Sequence, residues 1–310
     1  MTVHAMLGPQ RDAPNLAPLL DRLGLAGQPA CSVTAGWQER EGELQELEQH
    51  IAGSTVDLAL YQRAEDVFAR DPEFHEAYRE RQQRLREMQR LYRRRLEHAM
   101  AALREMELET GSADLLQNER RAAMRALRTL DRQHLRRIRR LQDAFDARER
   151  PLDRQMVAGH RREIGKQIAA CPVLLVAGGH VEILLNRLRL FGIAGLLGGQ
   201  TIIAWSAGAM ALSDQVVLFH DDPAQGSGIA EVADAGLGLV HGVVPLPHAS
   251  RRLRLGDERR VSLFSRRFLP ARSMTLDPGA SLVWRDAQLV SASSVFRMTR
   301  RGRLRPVIPS

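Results

Sequence analysis

The chain has 310 residues, of which 44% are hydrophobic and 26% charged, and its formal net charge is +8. A chain of this length can bury one large core or two smaller ones. No apolar run approaches the ~20 residues of a membrane span, and the N-terminus lacks the basic and apolar regions of a signal peptide, so neither membrane insertion nor secretion is expected.

The two cysteines, Cys31 and Cys171, have no metal-ligand spacing. Each follows a small residue next to an apolar run, which favours buried thiols near strand starts over a disulfide framework. We therefore expect a cytoplasmic protein, because reducing compartments keep thiols free.

The positive charge comes almost entirely from arginine and is concentrated in one helical region, where glutamates are interleaved with the arginines. Charge runs of this kind are usually solvated helix faces. Aromatic residues, which stack on nucleic acid bases, make up only 5% of the chain. We therefore do not expect nucleic acid to be the partner.

The N-terminal part alternates short apolar runs with helical patterns. Strands are predicted at 3–7, 31–35 and 56–61, and helices at 17–23 and 41–51. This alternation indicates a parallel α/β sheet with right-handed crossovers.

Residues 62–162 carry no strand signal, and their apolar side chains form two stripes at three- and four-residue steps. Gly111 and Ser112 separate the stripes, which predicts an antiparallel pair of amphipathic helices, with Ser112 as an N-cap and arms of ~50–60 Å. The pair stands where one crossover helix would connect strands three and four. It is expected either to form a dimer or partner surface or to be an elaborated crossover packed on itself. Its histidines are expected to face solvent: His75, His98, His134 and His160.

The α/β pattern returns after Pro151. Strands are predicted at 173–177, 201–205, 216–219, 281–284, 288–291 and 295–298, the last three closing one edge of the sheet antiparallel. We therefore expect an α/β fold with a mostly parallel sheet flanked by helices, formed by residues 1–61 and 163–310. Residues 62–162 would be a long helical hairpin inserted between strands three and four.

The most informative stretch is Ala204-Trp205-Ser206-Ala207-Gly208, at the end of an apolar, β-branched run. A small residue two positions before and after a serine is the pattern of a nucleophile elbow, in which a buried strand turns sharply into a helix. Small residues are needed because the strand and helix backbones pass close together there. The alternative is an ordinary strand, loop and helix in which Ser206 caps the helix.

A serine nucleophile needs a base, a carboxylate to orient the base, and donors for the oxyanion. His248 follows an apolar strand and is the strongest candidate base, although a histidine in that position is more often structural. The carboxylates near the elbow are Asp214, Asp221 and Asp222, and the last two would otherwise initiate a turn. The glycines at the end of the preceding strand could place backbone N–H groups beside the serine.

In the order Gly-Gly, Ser, Asp, His, these elements resemble the serine peptidase family that includes aspartyl dipeptidase (peptidase E) and cyanophycinase. These enzymes are relatives of class I glutamine amidotransferases that carry serine in place of the nucleophilic cysteine. The resemblance covers residues 165–295 well and residues 1–61 more loosely. It is carried by the glycine turn at 176–180, the elbow at 205–209 and the histidine segment at 246–248. The helical hairpin belongs to neither named branch of the family.

The resemblance implies that Ser206 is the nucleophile, His248 the general base and acid, and Asp221 the orienting carboxylate. Asp221 follows Ser206 at a spacing similar to that of the acid in the dipeptidase branch. Asp222 and Glu231 are substitutes for Asp221, because the cyanophycinase branch can take its acid from another position.

The resemblance also implies that the N–H groups of Gly179 and Ala207 form the oxyanion hole. Arg251 resembles an arginine that often follows the histidine of the family, and it is a candidate substrate-binding residue together with His180. An arginine there would neutralise a substrate carboxylate. Other arginines considered for this role are Arg252 and Arg187.

These assignments predict a serine hydrolase, a peptidase that acts on small, acidic peptides or isopeptides without a metal or organic cofactor. The alternative is a non-catalytic amidotransferase-like scaffold that binds a partner through residues 62–162. The same hairpin is the candidate surface for a homodimer.

Overall fold

The computed structural model describes residues 2–221 and 228–309. The strands, in chain order, are β1 (Val3–Leu7), β2 (Ala30–Val33), β3 (Val56–Asp57), β4 (Val173–Val176), β5 (Thr201–Trp205), β6 (Gln215–Leu218), β7 (Glu231–Ala235), β8 (Val243–Pro247), β9 (Arg272–Leu276), β10 (Ser281–Arg285), β11 (Gln288–Ser293), β12 (Phe296–Met298) and β13 (Leu304–Pro306). The helices are α1 (Leu16–Arg22), α2 (Gln45–Ile51), α3 (Leu60–Arg70), α4 (Pro72–Leu108), α5 (Ala113–Glu149), α6 (Gln155–Ala169), α7 (Val181–Leu190), α8 (Ala207–Leu212), α9 (Ala249–Arg252) and α10 (Glu258–Arg267).

The main sheet has seven strands in the order β11-β10-β1-β5-β4-β2-β3. The five strands from β1 to β3 in this order are parallel, and β10 and β11 add antiparallel at one edge. β4 is buried at every position, and separate apolar clusters cover the two faces of the sheet. The prediction of a mostly parallel sheet flanked by helices is confirmed.

A second sheet has the order β13-β12-β9-β8, and β8 and β9 are parallel. Pro247 at the end of β8 pairs with Leu276 at the end of β9, so the residues that follow both strands start from the same edge. β12 belongs to this sheet, and the prediction that residues 295–298 close the main sheet is wrong. Ser294 has a positive φ of 53° and turns the chain away from β11 at that point.

The two sheets meet beside the end of β1. Gly8 lies so close to Asp277, which follows β9, that a β carbon on Gly8 would overlap the Asp277 carbonyl oxygen. The Gly8 amide donates a hydrogen bond to the Ala280 carbonyl at 2.9 Å. A residue with a side chain would force these backbones apart, so this joint requires glycine.

The third strand is shorter than predicted. β3 ends at Asp57, whereas the sequence pattern indicated a strand through Tyr61. Ala59 adopts a left-handed conformation with φ 49° and ψ 45°, and α3 begins at the next residue. The apolar residues after Asp57 therefore pack from a helix, where Leu60 and Ala64 are fully buried.

Helices α4 and α5 form an antiparallel hairpin that lies between β3 and β4 in the chain, and each has 37 residues. The turn lies at Gly111 and Ser112 as predicted, although the Ser112 side chain makes no capping hydrogen bond. α5 also packs against β7 and α10, and α4 packs against β7. The hairpin therefore rests on the α/β body along part of its length.

A buried polar cluster fastens the hairpin to the body. Arg267 on α10 forms an ion pair with Asp131 on α5 at 2.7 Å, and the two side chains are 3% and 9% exposed. The Tyr92 hydroxyl on α4 donates to Asp131 at 2.8 Å and accepts a hydrogen bond from Arg267 at 3.0 Å. Because both charges are paired and hydrogen-bonded, the cluster avoids the cost of an isolated buried charge.

Of the four hairpin-region histidines, His98 alone is exposed as predicted; His75 is half-buried and stacks on Phe68 with ring centroids 4.8 Å apart. His134 is 4% exposed and stacks on Tyr92 with ring centroids 3.9 Å apart. His160 on α6 is half-buried, and its Nε2 atom lies 2.8 Å from the Asp66 carboxylate. The prediction is wrong for His75, His134 and His160. α5 and α6 are covered by the neighbouring elements β7 and α3, and the His75 ring lies against Phe68 of α3.

Within residues 2–221 and 228–309, no helix is both long enough and apolar enough to cross a membrane.

Candidate active site

Ser206 occupies the sharp turn between β5 and α8. Its backbone has φ 52° and ψ −119°, a region that residues with side chains rarely adopt. Such strain persists only where the surrounding structure imposes it, and it is the geometry of a nucleophile elbow. The Ser206 side chain makes no capping hydrogen bond to α8, which argues against the helix-cap alternative.

The small residues around Ser206 are required by close backbone contacts. A β carbon on Gly208 would overlap the Val176 carbonyl oxygen at the end of β4. A β carbon on Gly178 would lie 2.9 Å from the Ser206 β carbon. The end of β4 and the start of α8 therefore touch on either side of the serine, and larger residues would separate them.

The glycine turn after β4 places free backbone amides beside the serine. Gly179 has a φ of 106°, and a β carbon there would overlap the carbonyl oxygen of Gly36. Within the described residues, the amides of Gly179 and Ala207 donate no hydrogen bond to another backbone group. Unpaired amides at this position are what a developing oxyanion needs.

A cleft of about 1100 Å³ opens over the elbow. Seven of the candidate site residues named from the sequence line it: Gly179, Ser206, Ala207, Glu231, His248, Arg251 and Arg252. Arg93, Leu96 and Glu97 of the hairpin also line the cleft, and no sequence pattern indicated this.

His248 directly follows β8 and holds a left-handed conformation, with φ 56° and ψ 36°. Its ring is partly buried, and the buried Nδ1 atom has no hydrogen-bond partner among the described residues. Burial lowers the pKa of His248, and the charges of Arg252 and Arg251 lower it further. The neutral imidazole, which is the form that can accept a proton, is therefore favoured. No hydrogen bond joins His248 to Ser206 in this structure.

Asp221 is held away from the histidine. Its carboxylate accepts hydrogen bonds from the Arg254 amide at 2.8 Å and from the Arg260 guanidinium, and it is 4% exposed. Arg260 also donates to the Gly228 carbonyl at 2.6 Å, so this cluster ties residues 221 and 228 together. No hydrogen bond joins Asp221 to His248, and the structure does not bring these two predicted triad members together.

Asp222 and Glu231 were the substitutes for Asp221 as the orienting carboxylate. Asp222 lies outside the described residues. Glu231 lines the cleft, but its carboxylate is engaged by Arg93 on α4, with contacts of 2.5 and 2.7 Å, and by Gln89 at 3.1 Å.

Sequence reasoning missed Asp277, the carboxylate that follows β9. Since β8 and β9 are parallel and in register, His248 and Asp277 leave the sheet at neighbouring positions. The His248 amide donates to the Leu276 carbonyl at 3.2 Å, and the Asp277 charge raises the pKa of His248, against the larger lowering effects. Asp277 Oδ1 accepts hydrogen bonds from the Ser250 amide and hydroxyl, each at 2.9 Å. The Asp-Pro-Gly turn after Leu276 was the available sequence signal.

Of the residues predicted to bind the substrate, some line the cleft and others do not. Arg251 and Arg252 are exposed beside His248, and neither forms an ion pair with a described residue. The His180 side chain caps α7 by accepting from the Ile183 amide at 3.4 Å. Arg187 is 8% exposed and pairs with Glu65 at 3.0 Å, away from the cleft.

No family model matches the sequence. No curated protein matches it either. Among solved structures, the fold is similar to the crystal structure of a peptidase from an acI-B1 actinobacterium, with 13% sequence identity and a TM-score of 0.48. The match covers 97% of this chain and 91% of that one.

Proposed function

We propose that this chain is a serine hydrolase that cleaves amide bonds, with Ser206 as the nucleophile. The observation that carries the proposal is the strained, positive-φ backbone of Ser206 at the end of a central strand, inside a large cleft. This conformation costs about 1–3 kcal/mol for a residue with a side chain, and it aims the hydroxyl at the cleft.

His248 serves as the base. Ser206 Oγ attacks the carbonyl carbon of the substrate while the imidazole takes the hydroxyl proton. The tetrahedral intermediate collapses, the C–N bond breaks, and the imidazole returns its proton to the leaving amine. A water then attacks the acyl-enzyme in the same way and releases a carboxylic acid. The lowered pKa of His248 keeps the neutral imidazole available near pH 7.

The amides of Gly179 and Ala207 stabilise the negative charge on the carbonyl oxygen. Both are unpaired and line the same cleft as Ser206. Removing one such donor typically costs about 3–4 kcal/mol of transition-state stabilisation.

We assign the orienting carboxylate to Asp277 in place of Asp221. Asp277 leaves β9 in register with His248, and its charge acts on the His248 pKa, whereas Asp221 is neutralised by Arg260. Only one of the Asp277 oxygens is used by Ser250, so the other can accept a hydrogen bond.

The substrate is proposed to be a small peptide or isopeptide with a carboxylate near the cleaved bond. Arg251 and Arg252 stand beside His248 without a carboxylate partner, while Arg11 and Arg40 elsewhere in the cleft are already paired with Glu46 and Glu43. Two uncompensated guanidinium groups attract an anionic group.

A non-catalytic amidotransferase-like scaffold is the alternative. It is favoured by the lack of hydrogen bonds from the His248 ring to Ser206 or to any carboxylate among the described residues. In that case the cleft would bind a ligand without cleaving it.

A fluorophosphonate probe separates the two functions, because it reacts only with an activated serine. We expect the wild type to be labelled, Ser206→Ala to lose labelling, and Ser112→Ala to keep it. Ser112 is an exposed serine in the hairpin turn and is a matched control for the substitution. An unlabelled wild type with a cooperative unfolding transition would favour the scaffold.

A further inference from the structure

Cys31 and Cys171 meet in the folded protein, although they are 140 positions apart in the chain. Cys31 lies in β2, and Cys171 lies between the end of α6 and the start of β4. The two strands are parallel neighbours, and Ala30 pairs with Val173, so the chain enters β4 beside the start of β2. The two Sγ atoms are 2.7 Å apart, and the thiols are therefore in direct contact.

This thiol pair is closed off from solvent. Cys31 is 1% exposed and Cys171 is 5% exposed, and both belong to the larger apolar cluster of the fold. Cys31 Sγ also lies 3.2 Å from the Gln167 carbonyl oxygen, in the last turn of α6. The described part of the chain holds no group of three or more His, Cys, Asp or Glu side chains suited to a metal ion. The pair is thus a dithiol without further ligating side chains.

The thiol pair lies apart from the candidate active site. Neither cysteine is among the described residues that line the cleft, and both lie toward the starts of their strands, whereas Ser206 follows the end of β5. Burial raises the pKa of the Cys31 thiol, and the neighbouring Cys171 raises it further. The thiol, which is the weaker nucleophile, is therefore favoured over the thiolate. The pair is not a second nucleophilic site.

A bond between the two sulfurs would enclose the whole helical hairpin in one loop. The segment between them, residues 32–170, contains α4 and α5 as well as α3 and most of α6. A cross-link over so long a segment removes many conformations from the unfolded chain and leaves the folded chain almost unchanged, because the sulfurs already touch there. The folded state should therefore favour this bond far more than the unfolded state does.

We propose that Cys31 and Cys171 form a reversible redox site that reacts with a small disulfide of the glutathione type. The thiolate of one cysteine attacks a sulfur of oxidised glutathione, the S–S bond of glutathione breaks, and one glutathione leaves as a thiol. The second cysteine attacks the protein sulfur of this mixed disulfide, and the second glutathione leaves. The cysteines lose two electrons and two protons, and oxidised glutathione takes up both. Excess reduced glutathione reverses the reaction.

Equilibration of the full chain in glutathione buffers tests this proposal. Folded samples are refolded into each buffer, so that burial does not block exchange, and unfolded samples are kept in concentrated urea. Free thiols are trapped with N-ethylmaleimide and counted by intact mass. The squared concentration of reduced glutathione, divided by that of oxidised glutathione, gives the equilibrium position. At half-oxidation this quotient should be roughly 30- to 1000-fold higher for the folded protein, the equivalent of a typical disulfide's effect on stability.

Equal quotients for the folded and the unfolded chain would overturn the proposal. A final product in which each cysteine carries its own glutathione would overturn it as well, because the contact between the sulfurs would then not direct the reaction.

A variant with the second thiol moved by one residue is the matched control. Ala170→Cys combined with Cys171→Ser keeps two cysteines and almost the same loop length, but position 170 is exposed. With its fold checked by circular dichroism, this variant should lose the preference of the folded state for the disulfide. A preference as large as that of the wild type would mean that the contact with Cys171 is not its cause, and the proposal would fail.

Urea denaturation gives an independent readout. The oxidised wild type should unfold at a urea midpoint roughly 1 M above that of the reduced protein. Cys31→Ser should have the same midpoint with and without oxidised glutathione, because it cannot form the bond. A wild-type midpoint that oxidation leaves unchanged or lowers would overturn the inference.

Discussion

Gly208 and Val176 are in backbone contact across the elbow, with no room for a β carbon between them. This contact joins the first turn of α8 to the end of β4, and it fixes where the Ser206 hydroxyl stands. Any side chain at position 208 must push the helix away from the sheet.

We therefore expect Gly208→Ala to destabilise the protein by on the order of 1–3 kcal/mol, the usual cost of overpacking a tight core. Gly159→Ala is the control, because Gly159 lies within α6 and a β carbon there meets nothing within 4 Å. That change should stabilise the protein by about 0.5–1 kcal/mol. Urea denaturation measures both, and equal stability of Gly208→Ala and wild type would contradict the backbone contact.

The pH dependence of labelling should respond to Arg252. Burial is the largest cause of the lowered His248 pKa, and the Arg252 charge is the next. Only the neutral imidazole accepts a proton, so labelling falls as the pH drops through the His248 pKa. Arg252→Gln removes one cause of the lowered pKa and should therefore move the acid limb of the rate profile to higher pH.

Arg300→Gln is the control, because Arg300 is exposed and lies outside the cleft. The pH profile of its labelling rate should superimpose on that of the wild type. An acid limb in Arg252→Gln at the wild-type position, or below it, would argue that His248 is not the base.

Replacing Asp277 should mainly slow labelling of Ser206, whereas replacing Asp221 should mainly lower the stability of the fold. Asp277→Asn keeps an oxygen for Ser250 but removes the charge next to His248, so labelling should fall by roughly tenfold or more while stability changes little. Asp221→Asn leaves the Arg260 guanidinium without its partner and should cost on the order of 2 kcal/mol in unfolding free energy.

Measuring labelling rates and urea midpoints on both variants separates these roles. A large loss of labelling in Asp221→Asn, with a wild-type urea midpoint, would return Asp221 to the triad.

The stability of the hairpin should depend on pH through His134. Burial lowers the pKa of His134 to about 4, whereas in the unfolded chain it is near 6.5. Between these values the unfolded state binds a proton that the folded state does not, so the unfolding free energy falls as the pH drops from about 6.5 to 4. His134→Gln should show a shallower fall over this range. His98→Gln, at an exposed position of α4, should retain the wild-type slope in denaturation series at several pH values.

The elbow was predictable from the sequence because its constraint is local. Ala204 and Gly208 are small for a reason that acts within five residues, namely the close approach of strand and helix. The parallel strands β4 and β5 were predictable on the same ground, since burial on both faces leaves a continuous apolar run.

Asp277 was missed because β9 does not look like a buried strand. Ser273 and Thr275 alternate with Met274 and Leu276, yet all four are almost fully buried between other elements. Polar residues can occupy such positions only when the surrounding fold tolerates them, and that condition is invisible in the local pattern.

Spacing along the chain cannot show which charged partner a carboxylate has in the folded protein. Asp221 follows Ser206 at a suitable spacing in the sequence. In the structure, however, its carboxylate forms an ion pair with Arg260, which lies far along the chain. Which arginine meets which carboxylate is decided by the packing of α10, and in a chain this rich in arginine many pairings are available.

The contact between Gly8 and Asp277 also bears on when during folding the site comes into existence. Ser206 and the glycine turn belong to the main sheet, whereas His248 and Asp277 belong to the second. With the roles proposed above, a folding intermediate that had formed only the main sheet would contain the elbow serine without its base. Reactivity toward a serine probe would then appear only when the two sheets have closed at Gly8, after the tertiary structure is assembled.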